Sequence, residues 1–417
     1  MCSLVFDLGS SQSRIGFSGD DAPYVVFQSV VGRYHNHQQD SIFSSSWDPQ
    51  VQLISTTPQD QFLKSSSTIP EYLDIEYPIE RGVVTHWDSM ELLIEHYLNV
   101  LANKQHPNNS TAQEDALTSM MILFTEPALN PIENRLQYFS LLFERFQVQT
   151  AQYQLTGVLS VYASGGFSAF SIESGDGVTT ILPIYEGHTM PSCIKRLDLG
   201  GRDITDELMK RLMERGELSS MMNNTLSATS NNQTFKSMNH YYQCHEQVKK
   251  IKEQQCSIRT SYWETYDDTT FKQYELPEGG VLKLCERDLQ ECGELMFQPE
   301  CFMHTDTSAK SLTGLGDLIF EAVSGAGIDC RKDLYGNLVL SGGNTLMSNL
   351  GARVSSEMIA RAPSAVKIKV VAPPERLHSA WIGGSILSSL STFQSQWITR
   401  GEFHEVGPSV VFRKSLV

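Results

Sequence analysis

No stretch of this 417-residue chain reaches the ~18 consecutive apolar residues of a membrane-spanning helix. A membrane role is therefore not expected. The first residues show no basic segment followed by an apolar one, so a secretory leader is not expected either. Positive charge is scarce: 32 Lys and Arg stand against 48 Asp and Glu, a formal net charge of −16. That balance disfavours direct contact with nucleic acid or an acidic membrane and favours protein partners. Cysteine is thinly scattered. Cys285 and Cys292 are the nearest pair in sequence and have no C-x₂-C spacing, so the eight cysteines read as free thiols in a reducing compartment, with no zinc site. The single-loop phosphate cradle G-x-x-x-x-G-K-[ST] is also missing. With 40% hydrophobic and 19% charged residues, the chain reads as a soluble globular protein long enough for two or three cores.

What is present is an acidic, glycine-rich turn that occurs twice. Asp7-Leu8-Gly9-Ser10-Ser11 follows the strand-like Leu4-Val5-Phe6, and Glu173-Ser174-Gly175-Asp176-Gly177-Val178 follows Phe170-Ser171-Ile172. Glycine lets such a turn present backbone N–H groups to an anion at close range. The carboxylates cannot hold phosphate themselves. They make sense with a hydrated divalent cation between them and the phosphates, because Mg²⁺ keeps its waters and takes carboxylates at second hand. Two such hairpins facing each other would clamp a nucleoside triphosphate. A third element supports this: Leu338-Val339-Leu340-Ser341-Gly342-Gly343-Asn344-Thr345 is a buried-strand pattern running into a double glycine and a helical stretch.

Strand-like and helical runs alternate, which predicts an α/β fold. Apolar residues at 93, 94, 97, 98 and 101 form a helical stripe within Met90–Leu101. Pro131 opens a helix running toward Phe146, and Gly165-Gly166 ends one that begins near Gly157. One hairpin in each half implies internal duplication.

Longer motifs carry a family likeness. They are Gly16-Phe17-Ser18-Gly19-Asp20-Asp21-Ala22-Pro23, Tyr77-Pro78-Ile79-Glu80-Arg81-Gly82 and Trp87-Asp88. To these add Pro183-Ile184-Tyr185-Glu186-Gly187, Leu197-Asp198-Leu199-Gly200-Gly201-Arg202-Asp203, Ala372-Pro373-Pro374-Glu375-Arg376 and Trp381-Ile382-Gly383-Gly384. Over almost its full length the sequence resembles actin and the actin-related proteins. The resemblance implies the sugar-kinase/Hsp70/actin fold, two duplicated α/β lobes with ATP and Mg²⁺ in the cleft between them. It places the large subdomain of the first lobe at 1–33, 78–164 and 379–417, and its small, divergent subdomain at 34–77. The second lobe takes 165–199 plus 305–378 for its large part and 200–304 for its small part, with 217–240 as a polar insertion expected to be a mobile surface loop.

The resemblance assigns cation-facing carboxylates to Asp7 and Asp176. It assigns phosphate contacts to Gly9, Ser10, Ser11, Ser174, Gly175, Gly177 and Val178, with Arg14 where the family has lysine. Gly201, Lys249, Lys252, Glu253, Gly342, Gly343 and Asn344 match positions around the adenosine, and Leu377 falls where actin has a lysine near the adenine. Three departures cluster where actin positions its hydrolytic water: Thr156 stands at the glutamine position, Thr180 at the histidine position, and Glu173 where aspartate is usual. Gln154 or a threonine-held water could compensate. No residue is assigned a catalytic role.

The chain is thus expected to be an ATP-binding structural protein with weak or no hydrolysis, cytoskeletal and cytoplasmic. The alternatives are a nuclear actin-like subunit of a chromatin-remodelling complex and a divergent polymerising ATPase. Tyr162, Gly165, Leu387, Leu390 and Thr392 are expected to line a cleft that takes protein partners, including actin or other actin-like subunits. Residues 34–70 do not match the family's neighbour-gripping loop, so efficient self-polymerisation is not expected.

Overall fold

The computed structural model describes residues 3–34, 51–52, 73–105, 119–218, 226–229, 232–235, 238–261, 269–276, 281–301 and 313–414. Two six-stranded sheets organise them. In the first, β1 (Ser3–Leu8), β2 (Gln12–Phe17) and β3 (Val25–Gln28) form an antiparallel meander. β4 (Met121–Glu126) and β5 (Thr150–Leu155) extend it parallel to β1, and Ile398–Thr399 closes the far edge. In the second, β6 (Ala169–Ser174) and β7 (Thr179–Tyr185) form a hairpin, and β8 (Leu338–Ser341) lies parallel to β6. Each sheet therefore has a hairpin whose first strand is flanked by a parallel neighbour. This is the duplication expected from the paired turns. β1, β4, β5 and β8 are buried along their whole length, as strands covered on both faces must be; β1, β4 and β8 are accordingly mostly apolar, whereas β5 buries Thr150, Gln152 and Gln154.

Helices bury both sheets. On α1 (Trp87–Gln105), Met90, Leu93, Ile94, Tyr97, Leu98 and Leu101 are buried, so the predicted stripe is the face that meets the first sheet. Tyr97 stacks on Phe27 with centroids 4.8 Å apart. Pro131 precedes the helix Ile132–Ser140, which continues into a π turn at Leu141–Arg145. α2 (Thr156–Ala163) follows β5 and ends before Gly165, whose φ is +77°. Beyond it come α3 (Gly201–Glu214), α4 (Met238–Gln255), α5 (Leu350–Arg361) and α6 (Ser379–Ser389). α6 packs across α2 and onto β1, where the Trp381 indole donates to the Val5 carbonyl at 3.1 Å.

The core beneath the second sheet contains a buried ion network. Arg353, 1% exposed, donates to both oxygens of Glu294 at 2.8 and 3.0 Å and to Glu357 at 2.7 Å. Its guanidinium also lies over the Phe297 ring.

Three segments read from the sequence gain detail here. Within the insertion at 217–240, Leu226–Thr229 and Asn232–Phe235 pair as an antiparallel ladder, and α4 begins at Met238. Within 34–70, Val51–Gln52 pairs with Val31–Tyr34, which also pairs with Leu73–Glu76. The remainder of that segment, 35–50 and 53–70, lies outside the described residues. Finally, Cys256 and Cys292 bring their sulfurs within 3.5 Å of each other, although 36 residues separate them in sequence. Cys193, Cys244, Cys256, Cys285, Cys292 and Cys330 are buried thiols that form no disulfide. Among the described residues no helix is long and apolar enough to cross a membrane.

Candidate functional site

The two acidic turns meet tip to tip. β1 and β2 pair as far as Leu8 opposite Ser13, leaving Gly9, Ser10 and Ser11 with Gln12 to make the bend; the Gly9 amide closes it on the Gln12 carbonyl at 3.2 Å. β6 and β7 pair as far as Ser174 opposite Thr179, leaving Gly175 to Val178, closed by the Gly175 amide on the Val178 carbonyl at 3.0 Å. A Cβ on Gly177 would lie 2.8 Å from Ser10 Oγ and 3.1 Å from the Arg81 backbone, so only glycine allows this approach. The third element joins them. Gly342 has φ +86°, and a Cβ there would sit 2.3 Å from the Ser174 carbonyl oxygen. The carboxyl ends of β1, β4, β5, β6 and β8 thus converge on one cavity of about 350 Å³, a size within the ~300–1,000 Å³ of small-molecule sites.

Every residue named above as a nucleotide or cation contact lines this cavity except Ser174. Ser174 stands one layer behind. Its hydroxyl pairs with Thr179 Oγ1 at 2.8 Å and accepts from Asn344 Nδ2 at 2.9 Å. That bond fixes the Asn344 amide, whose Oδ1 is buried without a partner. An unmet buried acceptor costs ~1–3 kcal/mol, and a ligand hydroxyl or amine entering there would supply the donor. Leu346, Met347 and Leu377 form an apolar end of the same cavity.

Charged groups line the rest of the cavity. Asp7 pairs with Arg14 Nη1 at 3.3 Å and accepts from Thr125 Oγ1 at 2.8 Å. Arg14 is further held by His378 Nδ1 at 3.0 Å. Asp176 pairs with Arg202 at 3.1 Å. Burial would raise its pKa, but Arg202, Lys249 and Lys252 outweigh that and hold it below the ordinary carboxylate value. Lys252 is buried, donates to the Gly201 carbonyl at 2.7 Å and has its pKa lowered by burial, against the pull of Asp176. Lys249 reaches across the cleft to Ser11 Oγ at 2.7 Å. Phosphate alone would be repelled by Asp7 and Asp176. A hydrated divalent cation between them removes the conflict. Among the described residues no cluster of three or more His, Cys, Asp or Glu is placed to enclose a metal. Two separated carboxylates with bonds still to accept suit Mg²⁺ carried in with phosphates, which needs no all-protein cage.

Thr156 and Thr180 both turn their hydroxyls to one oxygen of Glu173, Thr180 at 3.4 Å. The register explains this, since Glu173 lies opposite Thr180 in the β6–β7 ladder. Burial pushes Glu173 up to about 7; the Thr156 hydrogen bond opposes this and the charge of Asp7 adds to it. Gln154 is buried, with its side-chain carbonyl accepting from the Leu155 amide at 2.7 Å.

Gly82, Pro127, Ser160, Met347 and Arg376 also line the cavity and were not anticipated. Duplication offered one signal: Pro127 follows β4 as Gly342 follows β8. Ser160 lies one helical turn beyond Thr156 on α2, so it faces the same way. At the expected partner cleft, Tyr162 is half-buried and contacts the exposed Phe167 with centroids 5.9 Å apart. Leu387 packs against Met121, Leu123, Phe393 and Trp397, while Leu390 is exposed.

A comparison with protein-family models bears on both fold and cleft. The family described as Actin matches residues 1–416, and the duplicated sheets and facing hairpins are what that α/β fold requires. The chain belongs to the actin family.

Proposed function

We propose that this actin-family chain is an ATP-binding structural protein, a subunit of the cytoskeleton or of a larger cytoplasmic complex, with weak or no ATP hydrolysis. The observation that carries the binding reading is the contact between the two hairpins over the cavity. Ser10, Ser11 and the amides of Asp176, Gly177 and Val178 would hold phosphate oxygens, with the Gly9 and Gly175 amides closing the two turns that present them. Asp7 and Asp176 would hold the water shell of Mg²⁺, which when bound neutralises phosphate charge. Lys252, Glu253, Gly342, Gly343 and Asn344 would hold the nucleoside against Leu377.

Weak turnover is supported by the threonines. Hydrolysis requires a polar group that orients water in line with the terminal phosphate. Here the hydroxyls at both water-orienting positions are committed to Glu173. Mis-setting such a group by ~1 Å can cost on the order of a hundredfold in rate.

Partners would bind through Tyr162, Leu387 and Leu390, where the half-exposed Leu390 offers apolar area to a helix. Self-polymerisation is not part of this reading, because 34–70 does not carry the family's gripping sequence.

Millimolar Mg-ATP should raise the melting temperature, since a ligand that binds only the folded state stabilises it by mass action. Absence of a shift would refute nucleotide binding. Phosphate release should be far slower than that of a polymerising actin measured alongside; an equal rate would overturn the weak-turnover reading and leave binding untouched.

A further inference from the structure

Arg81 ties the two halves of the molecule together at the cleft. It sits in the turn between the paired strands Ile79–Glu80 and Val83–Val84, with φ +50°, a left-handed conformation uncommon outside glycine. Ile79 and Val84 pack into the core of the first sheet, so this turn belongs to the first half. Its partners belong to the second. The guanidinium forms a bidentate pair with Asp203 on α3, at 2.5 and 2.7 Å. Nη1 also donates to the Gly177 carbonyl at 3.2 Å, and the Arg81 carbonyl accepts from Arg196 Nη2 at 2.6 Å. The neighbouring Gly82 amide donates to Ser10 Oγ at 3.0 Å, so the same turn also braces the first hairpin.

We propose that the Arg81–Asp203 pair is a latch that holds the two halves closed over the cavity and sets the rate at which its ligand leaves. The inference builds on the reading of the cavity as a nucleotide site. Any separation of the halves wide enough to free a ligand must stretch both guanidinium bonds and the bond to Gly177. Bidentate charge-assisted pairs are the strong members of their class. The Arg81 side chain is 40% exposed, so solvent screening reduces the effect to about tenfold in rate rather than several powers of ten. The pair is also specific in form. Lysine cannot make the fork to both Asp203 oxygens. Asp203 has a second duty, since its Oδ2 accepts from the Gly200 amide at 2.7 Å and caps α3, so the informative changes are on the arginine.

Release of a fluorescent ATP analogue with Mg²⁺ should be about tenfold faster in Arg81→Gln, and intermediate in Arg81→Lys. Both variants keep the α3 cap. Independently, in nucleotide-free protein, backbone amides of 79–84 and 175–178 should exchange hydrogen faster in Arg81→Gln than in the parent. Wild-type release rates in Arg81→Gln would overturn the latch. If the parent binds no Mg-ATP, the nucleotide reading fails, and the exchange arm alone decides: unchanged exchange in Arg81→Gln then overturns the latch as well.

Discussion

Raising the pH toward neutrality should weaken this fold through one residue, Glu173. Its carboxyl is buried at the cavity floor and its pKa rises from 4.5 to about 7, chiefly by burial, with Asp7 adding and the Thr156 hydroxyl opposing. The folded chain therefore keeps a proton that the unfolded chain has lost, across the window from about 4.5 to about 7. The stability this contributes is complete below the lower value and gone above the upper one. At ~1.36 kcal/mol per pH unit, the gap amounts to roughly 3 kcal/mol. Glu173→Gln cannot ionise, keeps the side chain's size and retains a carbonyl oxygen for Thr156. It should match the parent near pH 4 and exceed it by up to about 3 kcal/mol near pH 8. Urea unfolding at a series of pH values would measure this, without nucleotide and with a chelator present so that no cation beside Asp7 alters the field. Glu126 and Asp206 are also raised by burial, but both proteins share them and the difference between the two curves cancels them. A stability difference that stays constant across the window would refute the argument.

Arg353→Met should destabilise the chain by about 1.5–3 kcal/mol in urea, because the buried Glu294 and Glu357 carboxylates lose its charged hydrogen bonds and keep only Arg259 and Arg361; a loss below ~1 kcal/mol would mean that those two arginines suffice. Gly177→Ala should abolish the Mg-ATP melting shift, since its Cβ would push Ser10 and the Arg81 turn away from the second hairpin; an intact shift would show that the hairpin contact is dispensable. Leu390→Asp should leave the fold and nucleotide binding unchanged, because Leu390 is 47% exposed, yet remove any partner that co-purifies through the cleft. Under salt and Mg-ATP conditions that polymerise actin the parent protein should sediment as a monomer, and long homopolymers would restore the polymerising alternative.

Much of the cavity was legible because its chemistry is local. A strand followed by an acidic glycine turn needs only a few neighbouring residues, and Asp7–Ser11, Glu173–Val178 and Ser341–Asn344 each carry theirs within one short segment. The burial stripe of α1 is equally local, because a 3.6-residue period is written along the chain. The identities of Thr156, Thr180 and Glu173 could be read in the same way, but not the direction of their hydroxyls. That was decided by ladder register, which puts Thr180 opposite Glu173, and by the packing of α2 beneath the cleft. Packing likewise decided that Ser174 stands behind the wall, holding Asn344, when its sequence neighbours Gly175 and Asp176 face the cavity. Tertiary structure alone brought Arg81 to Asp203, 122 residues away, Lys249 to Ser11, and Cys256 to Cys292. No periodicity encodes such pairs. They exist because two separately closed sheets present their strand ends to the same cavity, and the distance between those ends is set by side chains buried far from any turn.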